Sequence, residues 1–106
     1  MNTLAFHRTV QLLDYYGPFL TEKQRKIMND RYLNDFSLSE IAERLKITRS
    51  AVQDTIHKAN AKLETFEEHL LLLDKQLKRK TLVDALFETE LSEHQKALIN
   101  TLKDVI

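Results

Sequence analysis

The sequence of 106 residues contains no cysteine and no tryptophan, and it has only one glycine and one proline. Without cysteine there can be no disulfide, no thiolate nucleophile and no cysteine-ligated zinc. Gly17 and Pro18 are adjacent, so the rest of the chain has neither of the two residues that most strongly interrupt a helix. A composition of this kind, rich in leucine, lysine and glutamate, predicts an all-α protein.

A net charge is also absent, because 16 lysine and arginine residues are balanced by 16 aspartate and glutamate residues. Attraction to nucleic-acid phosphates would therefore depend on local clusters of basic side chains. The longest aliphatic run, residues 70–73, is far shorter than the roughly twenty apolar residues that a membrane span needs. The N-terminal segment lacks the basic start and continuous apolar stretch of a secretory signal. We therefore expect a cytoplasmic protein that is not inserted in a membrane.

Side chains arranged for catalysis are missing from the sequence as well. The four histidines are scattered, and no two of them have the spacing of a helical metal-ligand pair. Asp54 and His57 lie three residues apart, but an exposed helix pair explains them without catalysis. There is no glycine-rich loop to hold a phosphate. We expect no catalytic residue, no metal site and no cofactor, and hence a protein that is not an enzyme.

The most informative segment, residues 37–63, has the pattern of a helix-turn-helix. Ser37 followed by Glu40 is a capping box that starts a first helix. Thr48 is a suitable cap for a second helix, which leaves a short turn at Lys46. In this motif the second helix is the one offered to a nucleic-acid groove, with its first residues meeting the base edges.

Capping boxes also predict the starts of two other helices. Thr21 with the glutamine three residues later starts the helix before the motif, and Ser92 with its own glutamine starts the last helix, which is predicted to run through Ile106. Apolar spacing predicts an N-terminal helix over residues 4–16 and a short one over residues 81–89.

Apolar residues after Thr48 recur at alternating steps of four and three, the spacing of a coiled-coil seam. They are Val52, Ile56, Ala59, Leu63, Phe66, Leu70, Leu73 and Leu77. With no glycine or proline among them, they predict a recognition helix that continues as one long rod toward Arg79. We therefore divide the chain into a helix-turn-helix domain, residues 1–63, and a helical extension, residues 64–106.

The second half of this seam is predicted to be a dimerisation surface, because the small domain does not need it for its own core. Its members are Phe66, Leu70, Leu73 and Leu77. The spacing alone leaves open whether the C-terminal segment of the same chain covers them or another chain does. With the helix-turn-helix, the seam predicts a bundle with an extended recognition helix and a C-terminal helical extension.

The side of the recognition helix opposite the seam is predicted to contact nucleic acid, together with basic residues before it. The predicted contact residues are Arg44, Lys46, Arg49, Ser50, Gln53, His57 and Lys58. Arginine reads guanine and glutamine reads adenine through paired hydrogen bonds, whereas Arg44 and Lys46 would hold phosphates. Asp54, at the centre of the same side, would be repelled by phosphates unless it accepts a hydrogen bond from a cytosine amino group.

The motif with its lead-in, LTEKQRKIMNDRYLNDFSLSEIAERL, resembles the DNA-binding fourth region of bacterial sigma factors. Over essentially the whole chain, the segments YYG, LTEKQRKIM and DFSLSEIAERLKITRSAVQDTIHKA are similar to those of the YlxM family of small bacterial proteins. That resemblance implies a DNA-binding regulator encoded beside the signal recognition particle GTPase, with a role in that protein-targeting pathway. The sigma-like pattern implies groove-facing positions for Arg49, Ser50, Gln53, His57 and Lys58. Lys46 and Asp54 depart from it.

Two hypotheses follow. In the first, the protein is a cytoplasmic regulator that binds DNA, or else RNA, as a homodimer joined through the second half of the seam and the C-terminal helices. In the second, it is a non-catalytic interaction module that contacts the RNA or the GTPase of the signal recognition particle and uses the helix-turn-helix as a scaffold. The two hypotheses differ in what the exposed side of the recognition helix touches.

Overall fold

The computed structural model describes residues 3–105, and in that part of the chain it contains six α-helices and no strand. The helices are α1 Thr3–Tyr16, α2 Glu22–Tyr32, α3 Leu38–Leu45, α4 Arg49–Leu70, α5 Leu72–Phe87 and α6 Glu93–Val105. A short 3-10 turn, Gly17–Phe19, follows α1 where the sequence has its only glycine and proline. The all-α prediction is confirmed. Ile106, the predicted end of the last helix, lies outside the described residues.

The three helix starts predicted from capping boxes are confirmed by their hydrogen bonds. The hydroxyl oxygens of Thr21, Ser37 and Ser92 each accept a bond of 3.1–3.2 Å from the backbone N–H three residues later. In return, the glutamine or glutamate at that later position accepts a bond from the backbone N–H of the capping residue. At Ser37 these bonds hold the pKa of Glu40 below its ordinary value of 4.5, because they favour the ionised carboxylate.

A small apolar cluster holds the helix-turn-helix together. Its fully buried members, Ile27, Ile41 and Val52, come from α2, α3 and the start of α4. Phe36 and Ile47, the residues just before the caps of α3 and α4, pack against the cluster as hydrophobic staples do. The cluster therefore fixes the first turns of α4 relative to the two helices before it.

A second cluster joins the end of α1 to the middle and end of α4. Tyr16, Leu12, Met28 and Leu63 are its largest fully buried members, and Leu73 also belongs to it. Because both clusters use the same side of α4, its opposite side is left to solvent. The recognition helix is long, as predicted, and its 22 residues serve both parts of the core.

The predicted continuous rod to Arg79 is wrong, and so is the separate short helix over residues 81–89. Helix α4 ends at Leu70, Leu71 takes the left-handed conformation with φ 55° and ψ 30°, and α5 then runs from Leu72 to Phe87. A left-handed backbone costs a residue other than glycine about 1–2 kcal/mol. Contacts elsewhere in the chain must therefore hold the break, and periodicity cannot reveal such contacts.

The chain divides into two compact units, Met1–Leu73 and Asp74–Ile106. The division falls further along the chain than the predicted boundary between residues 63 and 64, which lies inside α4. The reason is that Phe66 and Leu73 pack with the first unit's core. In the second unit Val83 is buried, and large apolar side chains on both helices are exposed, among them Leu82 and Leu98.

The turn between α3 and α4 is closed by Lys46 in the left-handed conformation, with φ 57° and ψ 44°. Its backbone N–H points at the carbonyl oxygens of Ala42 and Glu43, and the next N–H, of Ile47, donates to the Ala42 carbonyl at 3.1 Å. This bonding is typical of a helix C-terminus at which glycine is preferred. Lysine therefore carries a backbone cost there.

Replacing Lys46 by glycine is expected to raise the free energy of unfolding by about 0.5–1 kcal/mol, because glycine adopts this conformation without a Cβ clash. Lys46→Ala is the matched control, since it removes the same side chain and keeps the clash. Urea unfolding followed by circular dichroism measures both variants. Equal stability of the two would show that the left-handed turn costs the lysine nothing.

Candidate nucleic-acid interface

All seven residues predicted to contact nucleic acid have exposed side chains. Arg44 lies in the last turn of α3, Lys46 lies in the turn, and the other five lie on the first turns of α4. We call the exposed side of α4 the recognition face. It consists of Arg49, Ser50, Gln53, Asp54, His57 and Lys58.

The register of α4 explains why this face is exposed. Val52, Ala59 and Leu63 are fully buried and lie on one side of the helix. At 100° per residue, Ser50 and His57 lie near the opposite side. Arg49, Ser50 and Gln53, at the start of α4, are thus exposed to solvent, which suits residues that read base edges.

Arg44 is held beside the turn by an aromatic contact. Its guanidinium carbon lies 4.5 Å from the centre of the Phe36 ring, and Phe36 is itself packed against the helix-turn-helix cluster. A cation–π contact of this kind at an exposed site contributes about 0.5–1 kcal/mol. Arg44 is therefore partly pre-ordered for a phosphate contact.

Asp54 is paired with Lys58, one turn further along α4, rather than with His57. The Lys58 Nζ lies 3.0 Å from the Asp54 Oδ2, and the two side chains are 68% and 61% exposed. An exposed pair at this spacing contributes only about 0.3–0.5 kcal/mol. Lys58 thus offsets the negative charge of Asp54 without fixing the position of its side chain.

The recognition face is not part of a strongly basic surface. Residues 1–73 carry ten basic and ten acidic side chains, and residues 74–106 carry six of each. Neither compact unit therefore has the overall positive charge that drives binding to any nucleic acid regardless of sequence. Binding would depend on where individual charges lie.

No group of three or more histidine, aspartate or glutamate side chains in residues 3–105 is placed to hold a metal ion. In the same part of the chain, no helix is both long and apolar enough to cross a membrane.

The four residues predicted to form the dimer surface do not make one exposed stripe. Leu73 is only 3% exposed and belongs to the core of the first unit. The Phe66 ring stacks on Tyr16, with centroids 5.8 Å apart, and lies 5.6 Å from the Phe19 ring. Leu70 and Leu77 are each 46% exposed. Half of the predicted surface is thus used within the first unit.

A buried polar contact at the end of α4 escaped the sequence analysis. The Tyr16 hydroxyl donates a 2.6 Å hydrogen bond to Glu67 Oε1, and the backbone N–H of Leu73 donates to the same oxygen at 3.0 Å. The N–H of Leu72 in turn donates to the Tyr16 hydroxyl oxygen at 3.0 Å. Burial, together with the bond to Glu67, raises the pKa of Tyr16.

Together these bonds cap the N-terminus of α5, so we call Tyr16 and Glu67 the α5 cap. Glu67 is only 5% exposed, and its bond to the buried Tyr16 hydroxyl accounts for this, since a glutamate is almost never buried unless it is paired. One signal was present in the sequence: Glu67 lies four residues after Leu63 and hence on the buried side of α4. The acidic residues around it, Glu64 and Glu68, obscure this signal, because a run of like charges is typical of a solvated face.

Comparison with known proteins places the chain in a family. Residues 5–105 match the family model described as "Putative helix-turn-helix protein, YlxM / p13 like". The UPF0122 protein BH2485 of Halalkalibacterium halodurans is 46% identical over 95 residues, which cover 86% of this chain and 87% of that protein. The UPF0122 protein YlxM of Bacillus subtilis is 41% identical over 95 residues, covering 90% and 86%.

A more distant relative is the UPF0122 protein MYPE4850 of Malacoplasma penetrans, 38% identical over 102 residues that cover 88% of this chain and 95% of that protein. The chain belongs to this helix-turn-helix family, and the resemblance found in the sequence is confirmed.

Proposed function

We propose that this chain is a non-enzymatic bacterial regulator that binds nucleic acid, with DNA as the expected target, through the recognition face of α4. The proposal rests on the exposure of Arg49, Gln53 and His57 in the first turns of α4. On the buried side of the same turns, Val52 packs in one cluster with Ile41 and fixes the position of the helix. Membership of a helix-turn-helix family supports it. A nucleic-acid target implies that the protein acts in the cytoplasm.

In this proposal the contacts divide by their chemistry. Arg49 donates paired hydrogen bonds to a guanine, and Gln53 pairs with an adenine, in the major groove. Arg44 and Lys46, which precede α4, contact phosphates and set the orientation of the helix without reading sequence. Neither role requires a metal or a cofactor.

We further propose that the protein acts as a homodimer, because a single chain has no excess of positive charge to hold it on a duplex. Two linked recognition faces would gain affinity through avidity. Leu70 and Leu77 are the members of the predicted dimer surface with area left to bury. Phe66 and Leu73 would contribute only the little area that their own unit leaves uncovered.

One observation favours a second function. The balanced charge of both units gives no general attraction to phosphates and so suits a protein partner. In this alternative the chain is an interaction module that contacts the RNA or the GTPase of the signal recognition particle, and the helix-turn-helix serves as a scaffold.

A salt-titrated binding assay against genomic DNA fragments and the particle's RNA tests the proposal. We expect binding that weakens steeply with salt, and an affinity about tenfold lower for Arg49→Ala and for Gln53→Ala, because each removes a paired base contact. Lys75→Ala is the control for Arg49→Ala, since it removes a positive charge from an exposed position on α5.

Three outcomes would count against the proposal. If the protein binds neither DNA nor the particle's RNA in a salt-dependent way, the proposed function is refuted. Binding that Lys75→Ala weakens as much as Arg49→Ala would show a diffuse electrostatic contact rather than reading by α4. Binding to the particle's GTPase, with no binding to DNA, would favour the alternative.

A further inference from the structure

We infer that Asp54 determines the specificity of the recognition face by rejecting duplex DNA in which the base that it faces, on one strand, carries no amino group in the major groove. The inference rests on the proposed function and extends it. Asp54 lies between Ser50 and His57 at the centre of the exposed side of α4, and its side chain is 61% exposed. Any duplex that Arg49 and Gln53 approach also meets this carboxylate.

The chemistry of a carboxylate decides what it accepts. An ionised aspartate has no hydrogen to donate, so it pairs only with a donor. In the major groove the donors are the amino groups of cytosine and adenine, whereas guanine and thymine present acceptor oxygens there. Asp54 therefore selects cytosine or adenine at the position it contacts and is repelled by guanine or thymine.

The pair with Lys58 makes this selection possible on a polyanion. Both side chains are well exposed and their ion pair is weak, so Asp54 can turn to a base at small cost. Lys58 stays close enough to offset the repulsion between the carboxylate and nearby phosphates. On a wrong base the carboxylate is desolvated against acceptors with no donor to pair with, and this is costly.

The charge balance of the first unit makes the effect of Asp54 on DNA affinity large. Ten acidic side chains offset ten basic ones, so sequence-independent attraction to phosphates is weak from the start. A carboxylate on the recognition face lowers this sequence-independent affinity further. Only duplexes that offer the carboxylate a hydrogen-bond donor avoid this loss of affinity. Specificity obtained by penalising wrong partners in this way raises the ratio of specific to non-specific binding.

The test compares the full-length protein with Asp54→Asn, whose amide both donates and accepts. The probes are a pool of random-sequence DNA duplexes and the duplex selected from that pool by the wild type, varied at each base pair. We expect Asp54→Asn to bind random duplexes about tenfold more tightly and to lose about tenfold discrimination at one base pair where the wild type requires cytosine or adenine on the strand that Asp54 faces. Circular dichroism checks that each variant is folded.

Asp14→Asn is the matched control, because it removes the same charge from an exposed position on another helix, α1. Screening by salt limits its expected effect on affinity to about twofold, with the base preference unchanged. If the wild type selects no duplex from the pool while Asp54→Asn binds it, Asp54 only repels phosphates and its role in base selection is refuted.

The failures of the two ideas are distinguishable. If the wild type binds DNA and Asp54→Asn behaves like Asp14→Asn, the specificity role of Asp54 is refuted while the proposed function stands. If neither the wild type nor any variant binds duplex DNA, the proposed function fails and the inference fails with it.

Discussion

Replacing Glu67 by alanine is expected to lower the free energy of unfolding by about 3 kcal/mol, because it removes a buried hydrogen-bond acceptor and a helix cap at once. The change leaves the Tyr16 hydroxyl and the Leu73 N–H, which now share Glu67 Oε1, without that partner in a buried site. It also leaves the left-handed backbone of Leu71 with less to hold it. Urea unfolding at neutral pH measures the effect.

Glu68→Ala is the matched control, since it changes the same residue type at the next, exposed position of α4. Its expected effect is within about 0.5 kcal/mol. Tyr16→Phe removes only the hydroxyl and should cost about 1–2 kcal/mol. If Glu67→Ala is no more destabilising than Glu68→Ala, the α5 cap does not hold the α4–α5 break.

The α5 cap shows which part of the fold lies beyond a reading of the sequence. The caps at Thr21, Ser37 and Ser92 involve residues three positions apart, and local chemistry was enough to place them. The Tyr16–Glu67 bond joins residues 51 positions apart. The break at Leu71 depends on that distant contact, so a regular apolar repeat with no glycine predicted a straight helix instead.

The recognition face could be predicted from the sequence because it depends on local periodicity, whereas the break depends on a distant contact. Which side of α4 is exposed follows from its own periodicity, since Val52, Ala59 and Leu63 are buried as the repeat requires. The contact of Arg44 with Phe36 could not be predicted, because it joins the end of α3 to a residue before its cap. Which residues of the seam are buried likewise depends on the fold. In the second half of the seam, some residues are buried and others are exposed.

That division leads to a test of what the seam does. Leu73→Ala is expected to lower the free energy of unfolding by about 3 kcal/mol, because a leucine that is 3% exposed loses its packing and leaves a cavity. Leu70→Ala, in the same seam but 46% exposed, is expected to cost less than about 1 kcal/mol within a single chain. Denaturant unfolding at several protein concentrations measures both variants.

The concentration dependence separates packing within the chain from packing between chains. The cost of Leu73→Ala should be the same at every protein concentration, because its partners, among them Tyr16 and Leu63, belong to its own chain. If Leu70 lies at a subunit contact, the midpoint for the wild type rises with concentration, and Leu70→Glu abolishes that rise and gives a monomer in light scattering. If the wild type is a monomer at micromolar concentration and Leu70→Glu changes nothing, the seam is a packing feature of the fold and the proposed dimer must use another surface.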